Sequence, residues 1–474
     1  MTELPEGWAR VRLADVAEVR LGRQRSPKTA TGERMRPYLR AANVKWEGLE
    51  LSDVKEMAFT AAESETYELR PGDLLVGEAS GSPSEVGKPG QYKGEIDGCC
   101  FQNTLLRVRL PDGLRPDFYE HYFREQAFNG KFAAGSRGVG IHHLGAAALS
   151  DWEIPVPPHT EQERIVAAIE EAFSKLDAGE AGLRTVRQRL KRMREAILAA
   201  ALTGHLVPQD PTDTPAAEFL ADLGVEPCQA EGVPDLPPTW AWATLGSLAD
   251  LVGGVTKDAK RQDDPAYVEA PYLRVANVQR GFLDLEHVST IRVPLVKATQ
   301  LALVPGDVLF NEGGDRDKLG RGWIWEGQVP GCIHQNHVFR ARLAEGIEPK
   351  LVSLWGNTFG KGWFEGRGKQ TTNLASLNLT TLKTFPVPIA PPEEQQRIAT
   401  EVDRQFSFLD ACERAIDGGL ARSTALRQSV LKSAFEGRLV PQDPTDEPAS
   451  VLLDRIRANV PPTRQRSRGR AAIA

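Results

Sequence analysis

Side chains that can donate paired hydrogen bonds to DNA base edges recur at matching places in two halves of this chain. The set comprises Arg40, Asn43, Gln102 and Asn103 in the first half, and Arg274, Asn277, Gln335 and Asn336 in the second. These residue types predict contact with DNA. A structural alternative stands beside that prediction, because asparagine readily closes local turns and arginine can form internal ion pairs. Residues shared by two unlike halves also suit phosphate binding or the fold better than base recognition.

Two glycine-rich polar loops, residues 77–88 and 311–321, differ between the halves. Loops of this kind carry binding residues on a rigid scaffold, so these two are the predicted places for base recognition. Their candidate basic residues are Lys88, Arg316, Lys318 and Arg321. Two further loops, residues 135–138 and 366–372, combine glycine with basic residues and suit close approach to a phosphate backbone. Their candidates are Arg137, Arg367 and Lys369.

The sequence lacks the motifs of several common active sites. It has no Asn-Pro-Pro-Tyr or Asp-Pro-Pro-Tyr segment of an amino-methyltransferase, no phosphate-binding loop for ATP and no nuclease-like carboxylate cluster. His334 and His337 are potential metal ligands. Their counterparts Phe101 and Thr104 are not ligands, however, and no third ligand is apparent. The sequence therefore predicts a binding protein with no catalytic residue, no metal and no cofactor of its own.

Length and composition narrow the class of protein further. A chain of 474 residues suggests several domains, and 41% hydrophobic with 26% charged residues is ordinary for a globular protein. No apolar run of about 20 residues exists, which predicts no membrane span. The five cysteines show no Cys-x-x-Cys spacing, which fits a reducing cytoplasm. The net charge of −6 argues mildly against a simple nucleic-acid coat protein, and it is compatible with a DNA reader that has local basic surfaces.

The chain is one unit written twice. The segment Gly-x-Leu-Val-Pro-Gln-Asp-Pro-Thr-Asp occupies residues 204–213 and returns at 437–446, and Pro-x-x-Glu-Gln-x-Arg-Ile occupies 158–165 and 391–398. Alternating apolar residues predict short strands in each globular part, and Trp8 and Trp240 are predicted as buried anchors. The pattern favours a mixed α/β fold with an internal pseudo-twofold repeat.

A long helix is predicted after each globular part, running to about residue 203 and residue 436. Apolar residues at spacings of three and four predict that the two helices pair as a coiled coil, or contact a partner subunit. The main seam residues are Ile169, Phe173, Leu176, Leu183, Leu190 and Met193 in the first helix, and Val402, Phe406, Leu409, Ile416, Leu426 and Val430 in the second. Central glycines, including Gly182 and Gly419, predict a kink or break.

These signals divide the chain into six segments. They are a first globular domain at 1–157, a central helix at 158–205, a linker at 206–235, a second globular domain at 236–390, a distal helix at 391–437, and a C-terminal segment with a basic tail at 438–474.

With these motifs, the chain resembles the specificity subunits of type I restriction–modification systems over nearly its whole length. The resemblance implies two target-recognition domains that read an asymmetric, gapped DNA sequence. It also implies that the two long helices lie antiparallel, as an antiparallel coiled coil, and act as a ruler that fixes the gap. It also implies docking of two modification subunits, which carry S-adenosylmethionine, and of restriction subunits, which carry ATP and Mg²⁺. The repeated segment at 206–213 and 439–446 is predicted to contact the modification subunit. A rival interpretation is an adaptor that joins proteins through the coil and never meets DNA.

Overall fold

The computed structural model describes residues 4–27, 30–134, 140–314, 319–367, 369–370 and 375–459. The chain forms two compact units. Unit 1 comprises residues 1–183 and 417–474, and unit 2 comprises residues 184–416. Each unit therefore contains one globular part and one half of each long helix.

The globular part of unit 1 is built from thirteen short strands and three helices among its described residues. The strands are β1 (Ala9–Arg12), β2 (Glu18–Leu21), β3 (Met35–Leu39), β4 (Val44–Lys45), β5 (Gly48–Leu49), β6 (Lys55–Ala58), β7 (Leu74–Gly77), β8 (Ala79–Ser80), β9 (Pro89–Gln91), β10 (Cys100–Phe101), β11 (Leu105–Arg109), β12 (His142–His143) and β13 (Glu153–Val156). The helices are α1 (Ala61–Tyr67), α2 (Pro116–Phe128) and α3 (Ala146–Ser150), and the long helix α4 (His159–Leu202) follows.

Two sheets organise this part. A four-stranded antiparallel sheet has the order β2-β11-β7-β9, and a three-stranded sheet has the order β10-β3-β6 with β10 parallel to β3. Strand β7 is buried along its whole length, as the Pro-Gly-Asp turn before an apolar run predicts. The first strand pairs with the last, β1 with β13, which brings β1 close to the start of α4.

Unit 2 repeats this topology. Its strands are β14 (Ala241–Thr244), β15 (Ala249–Gly253), β16 (Tyr267–Leu273), β17 (Val278–Gln279), β18 (Phe282–Leu283), β19 (Ser289–Pro294), β20 (Val308–Asn311), β21 (Gly313–Gly314), β22 (Gly322–Ile324), β23 (Ile333–His334), β24 (Val338–Leu343), β25 (Lys369–Gln370), β26 (Ala375–Ser376) and β27 (Pro386–Ile389). Its helices are α5 (Ala216–Asp222), α6 (Leu245–Leu248), α7 (Leu295–Leu301), α8 (Pro349–Asn357), α9 (Phe359–Arg367) and α10 (Leu379–Lys383), followed by α11 (Pro392–Phe435).

The sheets of unit 2 run β15-β24-β20-β22 and β19-β16-β23, and β14 pairs with β27. These are the orders of unit 1 with equivalent strands. The predicted mixed α/β repeat is therefore confirmed, and so are the buried anchors Trp8 and Trp240.

The two long helices are each continuous over 44 residues. Acidic residues in the first turn face the positive end of the helix dipole. The predicted break at the central glycines is wrong, because helix continues through Gly182 and Gly419. In unit 1 a Cβ atom on Gly419 would lie 2.9 Å from Cδ1 of Leu183, so glycine there allows close approach of the helices.

The long helices pack against each other within each unit, the first half of α4 with the second half of α11 in unit 1 and the converse in unit 2. This pairing is antiparallel. Five predicted seam residues are buried, namely Ile169, Leu190, Val402, Leu409 and Ile416. Five others are partly buried, namely Phe173, Leu176, Leu183, Phe406 and Val430.

Met193 and Leu426 are not in the seam. Their exposed fractions are 53% and 52%, and the next residue along each helix, Arg194 and Arg427, points inward instead. The sequence prediction placed apolar residues at every position of the seam. At these two equivalent positions, however, the residue that packs in the seam is an arginine. A long arginine stem can pack on apolar neighbours while its guanidinium finds polar partners.

The two arginines make the same set of contacts in the two units. In unit 1 Arg427 lies 5.1 Å from the ring centre of Phe173 and donates to Glu180 at 3.2 Å, and Ser423 also donates to Glu180 at 2.7 Å. In unit 2 Arg194 lies 4.5 Å from the ring centre of Phe406 and approaches Glu413 at 3.9 Å. The seam glutamates therefore have cationic partners.

The C-terminal segment belongs to unit 1. Its helix α12 (Ala449–Asn459) buries Leu452, Leu453 and Ile456 in the same core as Phe118 and Ile169. The backbone N–H of Ala449 donates to the carbonyl of Gly7 at 2.9 Å. The start and end of the described chain thus lie together in one core. The predicted basic tail beyond Asn459 falls outside the described residues.

Candidate DNA interface

The two predicted asparagines close turns. Asn43 is buried, its Oδ1 accepts from the N–H of Arg40 at 3.1 Å, and its Nδ2 donates to the carbonyls of Glu50 and Asp53. Asn277 makes the equivalent three hydrogen bonds in unit 2. All these partners are backbone atoms, so neither amide is available to a base. Both asparagines therefore have the structural role of closing a turn, and we no longer count them among the proposed DNA contacts.

The neighbouring arginines are only partly exposed. Arg40 donates to Asp53 at 2.7 Å, which is the internal ion pair that the alternative interpretation proposed. Arg274 is half-buried. A guanidinium already paired within the chain recognises a base only by exchanging partners, which weakens the case for Arg40 as a reader.

The twice-written Gln-Asn pair forms the first half of a tight turn. The N–H of Leu105 donates to the carbonyl of Gln102 at 2.9 Å, and the N–H of Val338 donates to that of Gln335 at 2.8 Å. These turns join β10 to β11 and β23 to β24. The side chains of the Gln-Asn pairs are partly exposed at the turns. They lie at the surface where strands of both sheets end.

Glu78 is the residue on which the predicted loops of unit 1 meet. Its N–H donates to the carbonyl of Thr104, in the Gln-Asn turn, at 3.0 Å. Its carbonyl accepts from the N–H of Leu144 at 2.7 Å, just after β12. Strand β8 pairs with β12 directly beside it. The start of the glycine-rich loop, the Gln-Asn turn and strand β12 are therefore neighbours.

Glu312 has the same role in unit 2. Its N–H donates to the carbonyl of His337 at 2.9 Å, and its carbonyl accepts from the N–H of Leu377 at 2.7 Å. Strand β21 pairs with β26, which in turn pairs with β25. Three segments that lie far apart in sequence converge on one glutamate in each unit. This convergence is the strongest positional evidence for a functional surface.

Each of these glutamates contacts a histidine, but from a different segment. In unit 1 Nδ1 of His143, on β12, lies 3.2 Å from Oε1 of Glu78. In unit 2 Nδ1 of His337, in the Gln-Asn turn, lies 2.6 Å from Oε2 of Glu312. The histidines are 60% and 53% exposed, and the glutamates 22% and 27%. The equivalent carboxylates are thus contacted by histidines from different segments in the two units.

The remaining predicted contacts lie around this junction or outside the described residues. Lys88 forms an ion pair with Glu85 and lies 5.6 Å from the ring centre of Trp46. Arg321 donates to the carbonyl of Val275 at 3.3 Å. The predicted contacts Arg137, Arg316 and Lys318 lie outside the described residues, and so does the side chain of Lys369.

The predicted loop at 366–372 begins inside a helix. Arg367 is the last residue of α9, and its guanidinium lies 4.4 Å from the ring centre of Trp363. It is exposed and close in sequence to β25, so it borders the same junction.

Sequence reasoning missed Glu78, Glu312 and His143. One signal was present: the loops at 77–88 and 311–321 differ strongly, yet both carry glutamate as their second residue. Its meaning depends on the pairing of β8 with β12 and of β21 with β26, which the sequence pattern did not reveal.

His334 is a structural residue. It is fully buried, and Nδ1 lies 2.6 Å from the carbonyl of Val338. Burial lowers the pKa of His334 to about 4, so the ring is neutral and donates Nδ1–H to that carbonyl. Across the described ranges, no three ligand-type side chains are grouped closely enough to hold a metal ion.

The repeated motifs bind each other. In unit 1 Gln442 donates to Oε1 of Glu161 at 2.7 Å, and the indole N–H of Trp8 donates to Oε2 at 2.9 Å. Arg164 donates to Asp446 at 2.6 Å. The segment at 439–446 is therefore fixed to the first turn of α4.

The first copy of the segment makes the equivalent contacts in unit 2. Gln209 and Trp240 donate to the two oxygens of Glu394, and Arg397 donates to Asp213 at 3.0 Å. Burial raises the pKa of Glu161 and of Glu394 in these two clusters. The polar side chains predicted to contact a modification subunit are thus used inside the chain, and that prediction is corrected for them.

A part of the chain, residues 5–184, matches the family model for the type I restriction modification DNA specificity domain. The chain is 24% identical to the EcoKI specificity subunit of Escherichia coli K12 over 471 residues, and 25% identical to the StySPI specificity subunit of Salmonella potsdam over 473 residues. Each match covers 96% of both chains.

Solved structures share the fold. The crystal structure of the HsdS subunit from Thermoanaerobacter tengcongensis aligns with a TM-score of 0.55 and 19% identity, covering 92% of this chain and 98% of that one. A chain from a study of complex assembly in the type I restriction–modification system aligns with a TM-score of 0.63 and 20% identity, covering 92% and 99%. In the part of the chain that the structure describes, no helix is long and apolar enough to cross a membrane.

Proposed function

We infer that this chain, which belongs to the family of type I restriction–modification DNA specificity subunits, recognises two unlike DNA half-sites separated by a gap. Each globular part binds one half-site. The paired long helices fix the length of the gap. The chain contributes recognition and assembly, and the chemistry on DNA belongs to partner subunits.

One observation carries this proposal. The two units share strand order, turns and helix-end contacts, but they differ in the loops that meet at Glu78 and Glu312. A common scaffold with unlike loops at an equivalent surface suits two readers with different sequence preferences.

The proposed DNA contacts are the predicted residues that border these junctions, together with those that lie outside the described residues. They are Lys88, Gln102, Asn103 and Arg137 for the first half-site, and Arg316, Lys318, Arg321, Gln335, Asn336, Arg367 and Lys369 for the second. Arg40 and Arg274 lie at equivalent places and suit phosphate contacts, because residues shared by unlike readers carry little base information.

The exposed apolar side chains on the long helices support the docking of partners. Met193 in unit 2 and Leu426 in unit 1 occupy equivalent positions of the repeat, and both point away from the seam. Two equivalent surfaces suit two copies of one partner. We assign them to the two modification subunits, which bring S-adenosylmethionine. Restriction subunits, with ATP and Mg²⁺, join that assembly.

The test is to map methylated adenines across host DNA with and without this chain in the assembled complex. The expected result is a methylated sequence with two different specific parts and a fixed unspecific gap. A palindromic or continuous target would contradict the proposal. If the whole complex shows no salt-dependent binding to DNA, the adaptor interpretation is favoured instead.

A second experiment tests the ruler. Removing whole helical turns after Leu183 is expected to shorten the gap and leave both half-sites unchanged, because each turn advances the helix by about 5.4 Å. A change in either half-site would contradict the role of the helices as a spacer.

A further inference from the structure

We propose that Glu78 and Glu312 are the central base-reading residues, each accepting a hydrogen bond from a cytosine amino group in its half-site. This inference rests on the proposed function and assigns the specificity-determining residue to a position that lacks positive charge. The histidine in contact with each carboxylate orients it.

Glu78 and Glu312 project from a backbone that is fixed in place. Each lies at the junction of three segments, and its own backbone N–H and carbonyl bond two of them. The main chain at this residue is therefore fixed on both sides. A reading side chain gains specificity when it projects from such a fixed backbone, because little conformational freedom is lost on binding.

The charge of the carboxylates is the second argument. Glu78 and Glu312 would be repelled by phosphate groups, so a backbone-binding role is excluded for them. Glutamate suits the cytosine N4 amino group in the major groove, because the adenine N6 donor lies beside the N7 acceptor and pairs better with an amide side chain. A glutamate retained at both junctions, among loops that otherwise differ, suits that contact better than it suits general affinity for DNA.

The histidines are the third argument, because they explain how one residue type can serve two unlike half-sites. His143 holds Glu78 from the β12 side, whereas His337 holds Glu312 from the Gln-Asn turn. In unit 2 the amide of Asn336 also lies 3.3 Å from Nε2 of His337, which extends the polar chain. The two carboxylates would therefore meet DNA with different neighbouring side chains, which suits two unlike half-sites.

The experiment compares Glu78→Gln and Glu312→Gln in the full complex with its modification subunits. The readout is the map of methylated adenines, which reports each half-site separately. Glu170→Gln is the matched control, since it removes the same charge from an exposed position on α4. Glu78→Gln is expected to relax one C·G position in the half-site of unit 1 by about tenfold or more, and Glu312→Gln to do so in the other half-site.

A second pair of variants guards against misfolding. His143→Ala and His337→Ala leave the carboxylates in place but remove their orienting partners, and each is expected to relax the same position as the glutamine variant of its own unit. An unchanged target in both glutamine variants, or a loss of methylation that is equal at all sequences, would overturn the inference. If the unaltered chain directs no gapped methylation at all, the proposed function fails instead.

Discussion

The arginine at each seam position offers a direct test of what holds the long helices together. Replacing Arg427 by methionine keeps the length of the side chain but removes its charge. The contact with the ring of Phe173, at 5.1 Å, is worth about 0.5–1 kcal/mol. The hydrogen bond to Glu180, at 3.2 Å, is a partly buried charged pair worth about 1.5 kcal/mol.

The exposed contact of Arg427 with Asp177 adds little, because solvent screens it. Arg427→Met is therefore expected to lower the free energy of unfolding of unit 1 by about 2 kcal/mol, after allowing for the packing that methionine retains. Urea unfolding followed by circular dichroism measures the loss. Hydrogen exchange of the helix amides around Glu180 and Ser423 locates it.

The repeat supplies the control. Arg194→Met removes the equivalent group in unit 2 and is expected to have a similar effect on exchange around Phe406, with unit 1 unaffected. A double-mutant cycle with Glu180→Gln should give a coupling energy of about 1 kcal/mol. Equal or greater stability of Arg427→Met, with no coupling to Glu180, would refute the view that the arginine stabilises the seam.

Three further outcomes are expected. His334→Phe installs the residue found at the equivalent Phe101 and should make unit 2 less sensitive to acid. The folded-state pKa of His334 is about 4, below the ordinary 6.5, so the parent protein loses stability as pH falls through this range. Between pH 7.5 and 4.5, urea unfolding should show that the parent loses about 2–3 kcal/mol more than the variant. The same pH dependence in both proteins would contradict a buried neutral imidazole. Asp446→Asn removes the partner of Arg164 and should raise hydrogen exchange in the C-terminal segment by about tenfold. Asp213→Asn removes the partner of Arg397 and should do the same for residues 206–222 in unit 2. Unchanged protection in both variants would show that these arginine contacts are dispensable. Met193→Asp and Leu426→Asp should each remove one modification subunit from the complex in native mass spectrometry, and the double variant both; loss of both subunits from either single variant would argue against two equivalent docking surfaces.

The periodic and repeated features of the fold were predictable from the sequence. Both long helices begin and end within three residues of their predicted limits, since proline, acidic residues and glycine mark helix ends by local chemistry. The buried strands β7 and β20 were predictable because each follows a tight turn, Pro-Gly-Asp at residues 71–73 and 305–307, and begins with an apolar run. Tryptophan anchors after proline turns followed from the size of the indole and its tendency to be buried.

Tertiary contacts were not predictable in this way. The seam was traced through Met193 and Leu426 because apolar periodicity does not register an arginine that packs on a phenylalanine. The interface was predicted from basic and amide side chains, a choice that passed over the glutamates at the two junctions. Glu78 and Glu312 gain their place only through pairing of short strands that lie far apart in the chain.

The contact between the two repeated motifs has a consequence for how the chain is divided. The peptide at 206–213 is joined covalently to the end of α4, yet it stabilises the start of α11, and the peptide at 439–446 ends α11 but stabilises the start of α4. The last segment of each repeat thus binds the start of the long helix of the other repeat, which is a domain swap within a single polypeptide. A chain carrying one repeat alone would lack the peptide that completes it, and a second copy of that repeat would supply it. The two halves of this protein are therefore mutually dependent in folding even where their loop sequences differ.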